Sequence, residues 1–213
     1  MKVLVACEES QVVCSAFRAK GHEAYSCDIV PCSGGHPEWH IQDDVLKHLN
    51  DGWDLMIAHP PCTYLTVTGN KWFKPEYKER FPTRENDRKE AISFFTNFVN
   101  STIPKIAIEN PIGIMSTIYR KPDQIIQPYH FGDPFQKTTC LWLKGLPKLY
   151  HLSTGEFSDR RHLVDKGEII VYKSGKKCSK WYAMAATGGI AARQKIRSQT
   201  FPGIAKAFAD QWG

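Results

Sequence analysis

Short apolar runs separated by turn residues divide most of the chain into pieces of strand or helix length. A short apolar run bounded by turn signals predicts a strand that is buried on both faces. Between such runs, apolar residues recur at helical spacing, which predicts amphipathic helices. The predicted strands are 2–7, 23–27, 55–58 and 105–108, and the predicted helices are 12–21 and 90–101. This alternation predicts an α/β fold built around a parallel sheet.

The C-terminal part of the chain first closes the sheet and then changes in composition. Residues 124–132 and 138–143 predict a pair of strands, and residues 205–212 predict a helix that packs near the first strand. The segment 144–181 holds nine Lys or Arg residues and four acidic residues, so it supplies +5 of the net charge of +6. This favours a polyanionic partner, although an ordinary basic surface extension has the same composition.

Composition argues against several classes of protein. A chain of 213 residues is long enough for one domain with a small appendage. No apolar run approaches the roughly 18 residues of a membrane span, and Met1 leads directly into a strand, so we expect a cytoplasmic protein without a secretory signal. Seven cysteines without a paired Cys-x-x-Cys framework argue against a disulfide scaffold or a zinc site. Cys32, His36 and His40 are close in sequence, but we expect no metal site.

A proline-rich turn that follows one predicted apolar strand carries a cysteine. His59-Pro60-Pro61-Cys62 follows the strand 55–58, and the two prolines fix φ near about −65°, so Cys62 leaves the strand end in a defined direction. The strand 105–108 leads into Glu109-Asn110-Pro111. Because ligands of open α/β sheets bind at the carboxyl ends of strands, we expect Cys62 and Glu109 to share one rim. A single cysteine is more often a small buried apolar residue. The polar residues Glu109 and Asn110 at the end of a second strand are therefore what favours an active site here.

These two strand ends resemble the motifs of one enzyme family. Pro60-Pro61-Cys62 resembles the nucleophile motif of DNA cytosine-5 methyltransferases, and Ile108-Glu109-Asn110-Pro111 resembles the Glu-Asn motif of that family. The resemblance runs in order from residue 2 to 212 and is closest to short members of phage or prophage type. It implies a Rossmann-like methyltransferase fold, with a mostly parallel sheet, helices on both faces and a small basic recognition insertion. It also implies a catalytic domain of residues 1–143 and 196–213 and a DNA-recognition region of residues 144–195, in a bacterial or phage-infected cell.

The activity that the resemblance implies is transfer of a methyl, or a related one-carbon-derived, group from S-adenosylmethionine to carbon 5 of cytosine in DNA. Carbon 5 becomes nucleophilic when a thiolate adds to carbon 6, and an acid that protonates ring N3 assists this addition. The implied catalytic residues are Cys62 as nucleophile, Glu109 as proton donor and Asn110. Because Glu109 lies beside an apolar strand, we expect a partly desolvated carboxyl group that is easily protonated.

Three other functions fit the same residues. One is transfer of a modified group from a carboxylated variant of S-adenosylmethionine, and another is action on a free pyrimidine nucleotide. The third is an inactive DNA-binding homologue, against which the intact pair of Cys62 and Glu109 speaks.

The cofactor residues follow partly from the pattern and partly from the resemblance. A strand–helix–strand opening with Asp28 after the second strand is typical of nucleotide-binding units, in which the carboxylate binds ribose hydroxyls. The resemblance places Asp44 near the adenine amino group, although Asp43 or Asp44 also fits a helix cap. Cys7-Glu8-Glu9-Ser10-Gln11 stands where the family has Phe-x-Gly-x-Gly. The implied cofactor-binding residues are Cys7, Glu8, Ser10, Asp28, Ile29, Asp44 and Pro60.

The resemblance implies double-stranded DNA as the partner, with no membrane and no obligate protein partner. Gln136-Lys137-Thr138-Thr139 stands where the family has Gln-x-Arg-x-Arg, so Lys137, Thr139 or a basic residue from elsewhere in the chain must replace the missing arginines. The implied DNA-binding residues are Gln136, Lys137, Thr139, Arg160, Arg161, Lys176 and Lys177. Residues 168–172 predict a small strand within the basic segment. The aromatic and charged segment 66–86 fits either a lid over an extruded base or an excursion packed by its own aromatics.

Overall fold

The computed structural model of the protein describes residues 1–151, 164–184, 189, 198 and 200–213. Nine strands lie in these ranges, and seven of them form one sheet. The strands of this sheet are β1 (Lys2–Ala6), β2 (Glu23–Asp28), β3 (His40–Gln42), β4 (Leu55–Ala58), β5 (Lys105–Asn110), β6 (Gln124–Ile126) and β7 (Thr139–Lys144). The other two, β8 (Ile169–Val171) and β9 (Lys177–Ser179), form a separate antiparallel hairpin.

The large sheet has the order β3-β2-β1-β4-β5-β7-β6. The first five strands in this order are parallel, and β7 runs antiparallel to both of its neighbours. This order and polarity define a Rossmann-like methyltransferase fold, which confirms the predicted α/β class. The closing pair of strands is also confirmed, but β6 is shorter than predicted because Pro128–Phe131 forms a 3-10 helix.

Helices cover both faces of the sheet. In the described ranges the helices are α1 (Val12–Ala19), α2 (Arg84–Asn100), α3 (Met115–Ile118), α4 (Lys180–Met184) and α5 (Pro202–Trp212), of which α4 packs on β8 and β9. Successive strand residues point to opposite faces. Val3 and Val5 therefore pack with Phe17 of α1 and Phe208 of α5, while Leu4 and Ala6 pack with Phe95 and Phe98 of α2. Burial on both faces explains why the central strands read as unbroken apolar runs.

Helix α2 begins at Arg84 rather than near residue 90 as predicted. Its first turn is polar and carries no apolar periodicity, so the sequence pattern misses it. Glu85 and Asp87 lie in that turn, where negative charge is favourable for the helix dipole. The segment before it contains two 3-10 helices, Val67–Phe73 and Pro75–Tyr77.

The hairpin of β8 and β9 docks onto the turn before β7, and β8 confirms the predicted small strand. The amide of Gln136 donates to the carbonyl of Lys166 at 3.2 Å. Gly167 has a φ of 76°, and a Cβ there would lie 1.9 Å from the carbonyl oxygen of Pro134. A glycine is therefore required where the hairpin meets the rest of the fold. In the described ranges, the helices are all too short or too polar to cross a membrane.

Candidate active site

The strand register brings His59 and Glu109 together at the carboxyl-end rim of the sheet. Ala58 of β4 pairs with Ile108 of β5, so the residues that follow them are neighbours on adjacent parallel strands. His59 Nδ1 lies 2.8 Å from Glu109 Oε2, and the two side chains are only 8% and 11% exposed. His59 is a site residue that the sequence pattern did not single out. The signal that could have found it was its position immediately before the Pro-Pro-Cys turn at a predicted strand end.

Cys62 lies on a turn that hydrogen bonds hold in place. Pro60 is buried, whereas Cys62 is exposed. The carbonyl of Cys62 accepts bonds from the backbone N–H groups of Leu65 and Thr66, each at 3.0 Å. The side-chain amide of Asn110 donates to the carbonyl of Pro60 at 2.7 Å. Asn110 therefore fixes the cysteine turn to the end of β5.

A second set of contacts joins the segment after Cys62 to the segment after Asn110. Ile114 N donates to Leu65 O at 2.8 Å, and Val67 N donates to Ile112 O at 3.2 Å. Gly113 lies at the centre of this pairing, and a Cβ there would lie 2.1 Å from the carbonyl oxygen of Leu65. Only a residue without a Cβ permits this approach. The cysteine turn and the Glu-Asn segment thus form one structural unit, which the sequence pattern did not predict.

The prediction of an easily protonated Glu109 is wrong. Burial raises the pKa of the Glu109 carboxyl, but the Lys137 ammonium, the hydrogen bond and charge of His59 and a hydrogen bond from Thr139 lower it to about 2. Attraction to nearby cations thus outweighs desolvation. Glu109 is therefore an ionised carboxylate at neutral pH. The sequence indicated only the desolvation, because the folded chain alone brings Lys137 and Thr139 to this carboxylate.

The residues predicted to replace the family's arginines have different environments. Lys137 is partly exposed and lies close enough to Glu109 for a charge interaction. Thr139 is only 2% exposed, and its hydroxyl donates to the carbonyl of Lys137 at 3.3 Å. The Thr139 side chain also helps to lower the pKa of Glu109. This burial does not fit the direct DNA contact predicted for Thr139, whose role here is to support the carboxylate. Gln136 is partly exposed, but its amide holds the base of the hairpin at Lys166.

The turn after β1 reaches a left-handed backbone conformation without glycine. Cys7 and Gln11 have φ values of 60° and 59°, which are uncommon for residues with a Cβ. The fully buried amide of Gln11 donates to the carbonyl of His36 at 2.7 Å and accepts from its N–H at 3.0 Å. A Cβ on Gly34 would lie 2.5 Å from Gln11 Cβ. Gln11 thus fastens the loop 29–36 onto this turn, at a position where the family has glycine.

The Glu8 side chain faces the protein interior rather than the cofactor rim. Its two carboxylate oxygens accept the N–H groups of Val13 and Cys14 at 2.7 and 3.1 Å, and the residue is 4% exposed. Burial raises the pKa of Glu8, while the charge of His59 and these backbone bonds partly offset the rise. The structure therefore gives the Glu8 carboxylate a capping role on α1 in place of the predicted cofactor contact.

The other predicted cofactor residues converge at the ends of β1 and β2. Burial and the charges of Asp28 and Asp44 raise the pKa of the Cys7 thiol well above its ordinary value, so both carboxylates lie near Cys7. Asp28 accepts from Val30 N at 3.2 Å, and Ile29 is 74% exposed at the rim. Asp44 accepts from Leu46 N at 3.0 Å and caps the 3-10 helix Val45–His48. The cap interpretation of Asp44 is thus confirmed, and among the described residues the cap uses only one of its two carboxylate oxygens.

Four further predicted residues, two near the cofactor rim and two on the hairpin, are described by their burial and backbone contacts. Ser10 is partly exposed in the turn after β1, and Pro60 is buried with its carbonyl bonded to Asn110. Lys176 and Lys177 are exposed at the tip of the β8–β9 hairpin. Arg160 and Arg161 lie outside the described residues, as does part of the region 144–195.

The candidate metal cluster does not assemble among the residues that the structure describes. His40 Nδ1 lies 2.8 Å from Ser26 Oγ, and His40 Nε2 lies 2.9 Å from the carbonyl of Val30. His36 stacks on Trp39 with ring centroids 3.8 Å apart. Both imidazoles therefore have structural contacts of their own.

The segment after Cys62 is packed by its own aromatic residues and by two arginines of α2. Trp72 contacts Tyr77 and Phe81 edge-on. Arg88 lies 3.3 Å from the centroid of the Phe73 ring and donates to the carbonyl of Tyr64 at 3.0 Å. These contacts agree with the second interpretation of the segment 66–86, in which its own aromatic residues pack it together.

Comparison with known proteins finds likenesses among solved structures but not among sequences. No protein-family model matches the chain, and no curated protein matches it in sequence. The crystal structure of the S. pombe Dnmt2 methyltransferase is similar to it, with 14% sequence identity and a TM-score of 0.47. The match covers 87% of this chain and 60% of that one, so the chain corresponds to less than two thirds of the Dnmt2 structure. The strand order and polarity of the sheet, rather than this likeness, define the fold.

Proposed function

We propose that this protein transfers a methyl group from S-adenosylmethionine to carbon 5 of cytosine in double-stranded DNA, through a covalent bond between Cys62 and carbon 6. The observation that supports this most is the arrangement of an exposed cysteine on a fixed proline turn, one strand away from a buried carboxylate. A nucleophile and an acid–base group on adjacent strand ends are what addition to a pyrimidine ring requires.

Each residue of the rim has a role in this proposal. The Cys62 thiolate attacks carbon 6, and the Glu109 carboxylate accepts a hydrogen bond from the exocyclic amine of the base. Once Glu109 is protonated, it donates to ring N3. Asn110 and Gly113 hold the cysteine turn against the end of β5. Positioning of reacting groups in this way is itself a large part of catalysis. The exposed lysines of the hairpin, Lys176 and Lys177, bind the DNA backbone.

The residues at the ends of β1 and β2 fit S-adenosylmethionine. Asp28 would accept hydrogen bonds from the ribose hydroxyls, exposed Ile29 would cover one face of the adenine, and the Asp44 oxygen not used by the cap would accept from the adenine amino group. The cofactor supplies the electrophilic methyl group. Burial of Glu8 removes one carboxylate from this crevice, so Asp28 and Asp44 carry the polar recognition.

A trapped adduct tests the proposal directly. Incubation with duplex DNA containing 5-fluorocytosine and S-adenosylmethionine should give a covalent complex, and peptide mapping should locate the bond at Cys62. Cys62→Ser should form no complex and transfer no methyl group, because a hydroxyl is a far poorer nucleophile near neutral pH. Cys32→Ser, which changes a partly exposed cysteine, is the matched control. Full transfer by Cys62→Ala would refute the assignment of the nucleophile. Transfer to free nucleotides alone would show that the substrate is a nucleotide rather than DNA.

A carboxylated variant of S-adenosylmethionine is the second candidate donor. Two observations favour it: the turn after β1 is built on Gln11 instead of glycine, and Lys137 places a positive charge beside the reacting rim. Calorimetric titration with both donors distinguishes them, since the preferred donor should bind more tightly. Mass measurement of nucleosides from treated DNA then identifies the transferred group.

A further inference from the structure

The side chain of Gln11 fixes the end of the loop 29–36 to the turn after β1. Gln11 is fully buried and has a φ of 59°. Its amide nitrogen donates to the carbonyl of His36 at 2.7 Å, and its amide oxygen accepts from the N–H of the same residue at 3.0 Å. Residues with a Cβ keep such a φ only where the surrounding contacts hold them. These two bonds supply contacts of that kind.

A chain of polar contacts extends from Gln11 to the start of the same loop. Gln11 Nε2 lies 3.3 Å from the hydroxyl of Ser26, a fully buried residue of β2. Ser26 Oγ lies 2.8 Å from His40 Nδ1. His40 Nε2 lies 2.9 Å from the carbonyl oxygen of Val30, and since a carbonyl can only accept, the imidazole is the donor there. One polar network therefore reaches both ends of the loop.

The middle of the loop 29–36 lies directly on the turn after β1. Ser33 N donates to the carbonyl of Glu9 at 2.8 Å. A Cβ added to Gly34 would lie 2.6 Å from the carbonyl oxygen of Ser10 and 2.5 Å from Gln11 Cβ. The loop is thus held at its start, middle and end, although most of its residues are exposed.

We propose that Gln11 is a positioning residue of the cofactor crevice, which holds the loop 29–36 in place before S-adenosylmethionine binds. This inference rests on the proposed function. The loop begins with Ile29, directly after Asp28, and these are the residues that we assign to the adenine and the ribose. When this wall is already formed, the cofactor avoids the entropic cost of ordering it, and a preformed site binds more tightly for that reason.

Two substitutions remove the bonds of Gln11 without forcing a new backbone conformation. Glycine adopts a positive φ freely, and asparagine is enriched there. The asparagine side chain is one methylene shorter, so it cannot reach both groups of His36. Because Gln11→Asn keeps the Cβ that packs on Gly34, it separates the effect of the hydrogen bonds from the effect of this packing.

Gln124→Ala is the matched control. The Gln124 amide donates to the carbonyl of Leu149 at 2.9 Å and accepts from its N–H at 2.8 Å. The same type of paired bond is therefore lost on β6, at the opposite edge of the sheet from the loop 29–36.

The first measurement follows amide hydrogen exchange by NMR without cofactor. The Ser33 N–H is the informative group, because neither substitution changes its acceptor, the carbonyl of Glu9. We expect it to exchange about 10-fold faster in Gln11→Gly and Gln11→Asn, because the loop opens more often. Gln124→Ala should keep the parent rate. Saturating S-adenosylmethionine should slow the exchange in both Gln11 variants, because the bound cofactor then orders the loop.

The second measurement is calorimetric titration with S-adenosylmethionine. If the loop is in place only about one tenth of the time in the Gln11 variants, Kd should rise about 10-fold. The KM for the cofactor should rise by a similar factor, while kcat at saturating cofactor should stay within about two-fold, because the bound state is the same. Gln124→Ala should keep the parent Kd.

Three outcomes would overturn the inference while the transferase proposal stands. They are a parent rate of Ser33 exchange in both Gln11 variants, faster exchange with an unchanged Kd, and an equal rise of Kd in Gln124→Ala. If the parent protein itself binds no S-adenosylmethionine, the proposed function is wrong and the predicted change in Kd fails with it. The Ser33 exchange then still decides whether Gln11 holds the loop.

Discussion

The side-chain amide of Asn110 donates to the backbone carbonyl of Pro60 at 2.7 Å, and both residues are buried. This bond crosses from the end of β5 to the turn that carries Cys62. Fifty residues of sequence separate the two partners, yet the bond makes the position of the nucleophile depend on the strand that carries Glu109. The second residue of the Glu-Asn pair therefore acts on the cysteine turn rather than on the substrate.

Asn110→Ala should destabilise the protein and impair transfer. It leaves the buried Pro60 carbonyl without its bond, which typically costs about 1–3 kcal/mol. We expect the free energy of unfolding in urea to fall by that amount and the transfer rate to fall more than the cofactor affinity. Asn100→Ala changes an exposed asparagine at the end of α2 and is the matched control. Unchanged unfolding in Asn110→Ala would show that the bond is absent in solution.

Glu109→Gln should change how stability depends on pH. The pKa of Glu109 lies at about 2 in the folded protein, below its ordinary value of 4.5. A lowered folded pKa stabilises the protein above the unfolded pKa, and this stabilisation is lost as pH falls from about 4.5 towards 2. The lost free energy is on the order of 3 kcal/mol. Urea unfolding of the parent should thus weaken over this window more steeply than that of Glu109→Gln, and parallel curves would contradict the assigned ionisation.

Gly113→Ala should separate the cysteine turn from the Glu-Asn segment. The added Cβ would lie 2.1 Å from the carbonyl oxygen of Leu65, so one backbone segment must move. Overpacking of this kind costs about 1–3 kcal/mol. We expect a lower melting temperature and slower adduct formation at Cys62. Gly189→Ala is the control, because a Cβ there meets no atom of the described residues within 4 Å. An equal effect of the two substitutions would argue against a specific role for Gly113.

Asp28→Ala should weaken cofactor binding without affecting DNA binding. Loss of a hydrogen-bonded pair to the ribose costs about 1–3 kcal/mol, which corresponds to roughly 5- to 150-fold in Kd. Isothermal titration calorimetry with S-adenosylmethionine measures this. Glu23→Ala changes an exposed carboxylate at the opposite end of the same strand and should leave Kd unchanged. If Asp28→Ala binds S-adenosylmethionine as tightly as the parent protein, the Asp28 carboxylate has only a structural role, as the acceptor of the Val30 N–H.

Charge reversal at the hairpin tip should reduce the salt dependence of DNA binding. Lys176→Glu and Lys177→Glu each remove one positive charge that we assign to a phosphate, so the slope of log K against log salt should shrink by about 0.9 for each phosphate that is no longer neutralised. Affinity should fall similarly on different sequences, because binding to phosphates carries no sequence information. Lys121→Glu, at an exposed site after α3, is the control. An unchanged slope in both hairpin variants would mean that the hairpin is an ordinary surface extension.

The layered fold and the rim that carries the site can be predicted from local patterns in the amino-acid sequence. Apolar runs such as 55–58 and 105–108 can be buried only between two helical layers, so they predict central parallel strands without knowledge of the tertiary structure. Prolines and polar residues directly after these runs mark the strand ends, which is why Cys62 and Glu109 were predicted to share one rim. These signals are local, and local patterns are what a single sequence displays.

The charge states of the site residues and the contacts that hold them depend on how distant segments pack in the folded chain. The ionisation of Glu109 depends on His59 and Lys137, which lie on other elements and approach through strand register. The burial of Glu8 under α1 and the approach of Gly113 to Leu65 likewise depend on how separate segments pack. Electrostatic interactions and steric contacts act over ångströms in space, whereas the partners are tens of residues apart in the chain. No local pattern encodes those distances, so the charge on Glu109 and its contact with His59 became visible only in the folded protein.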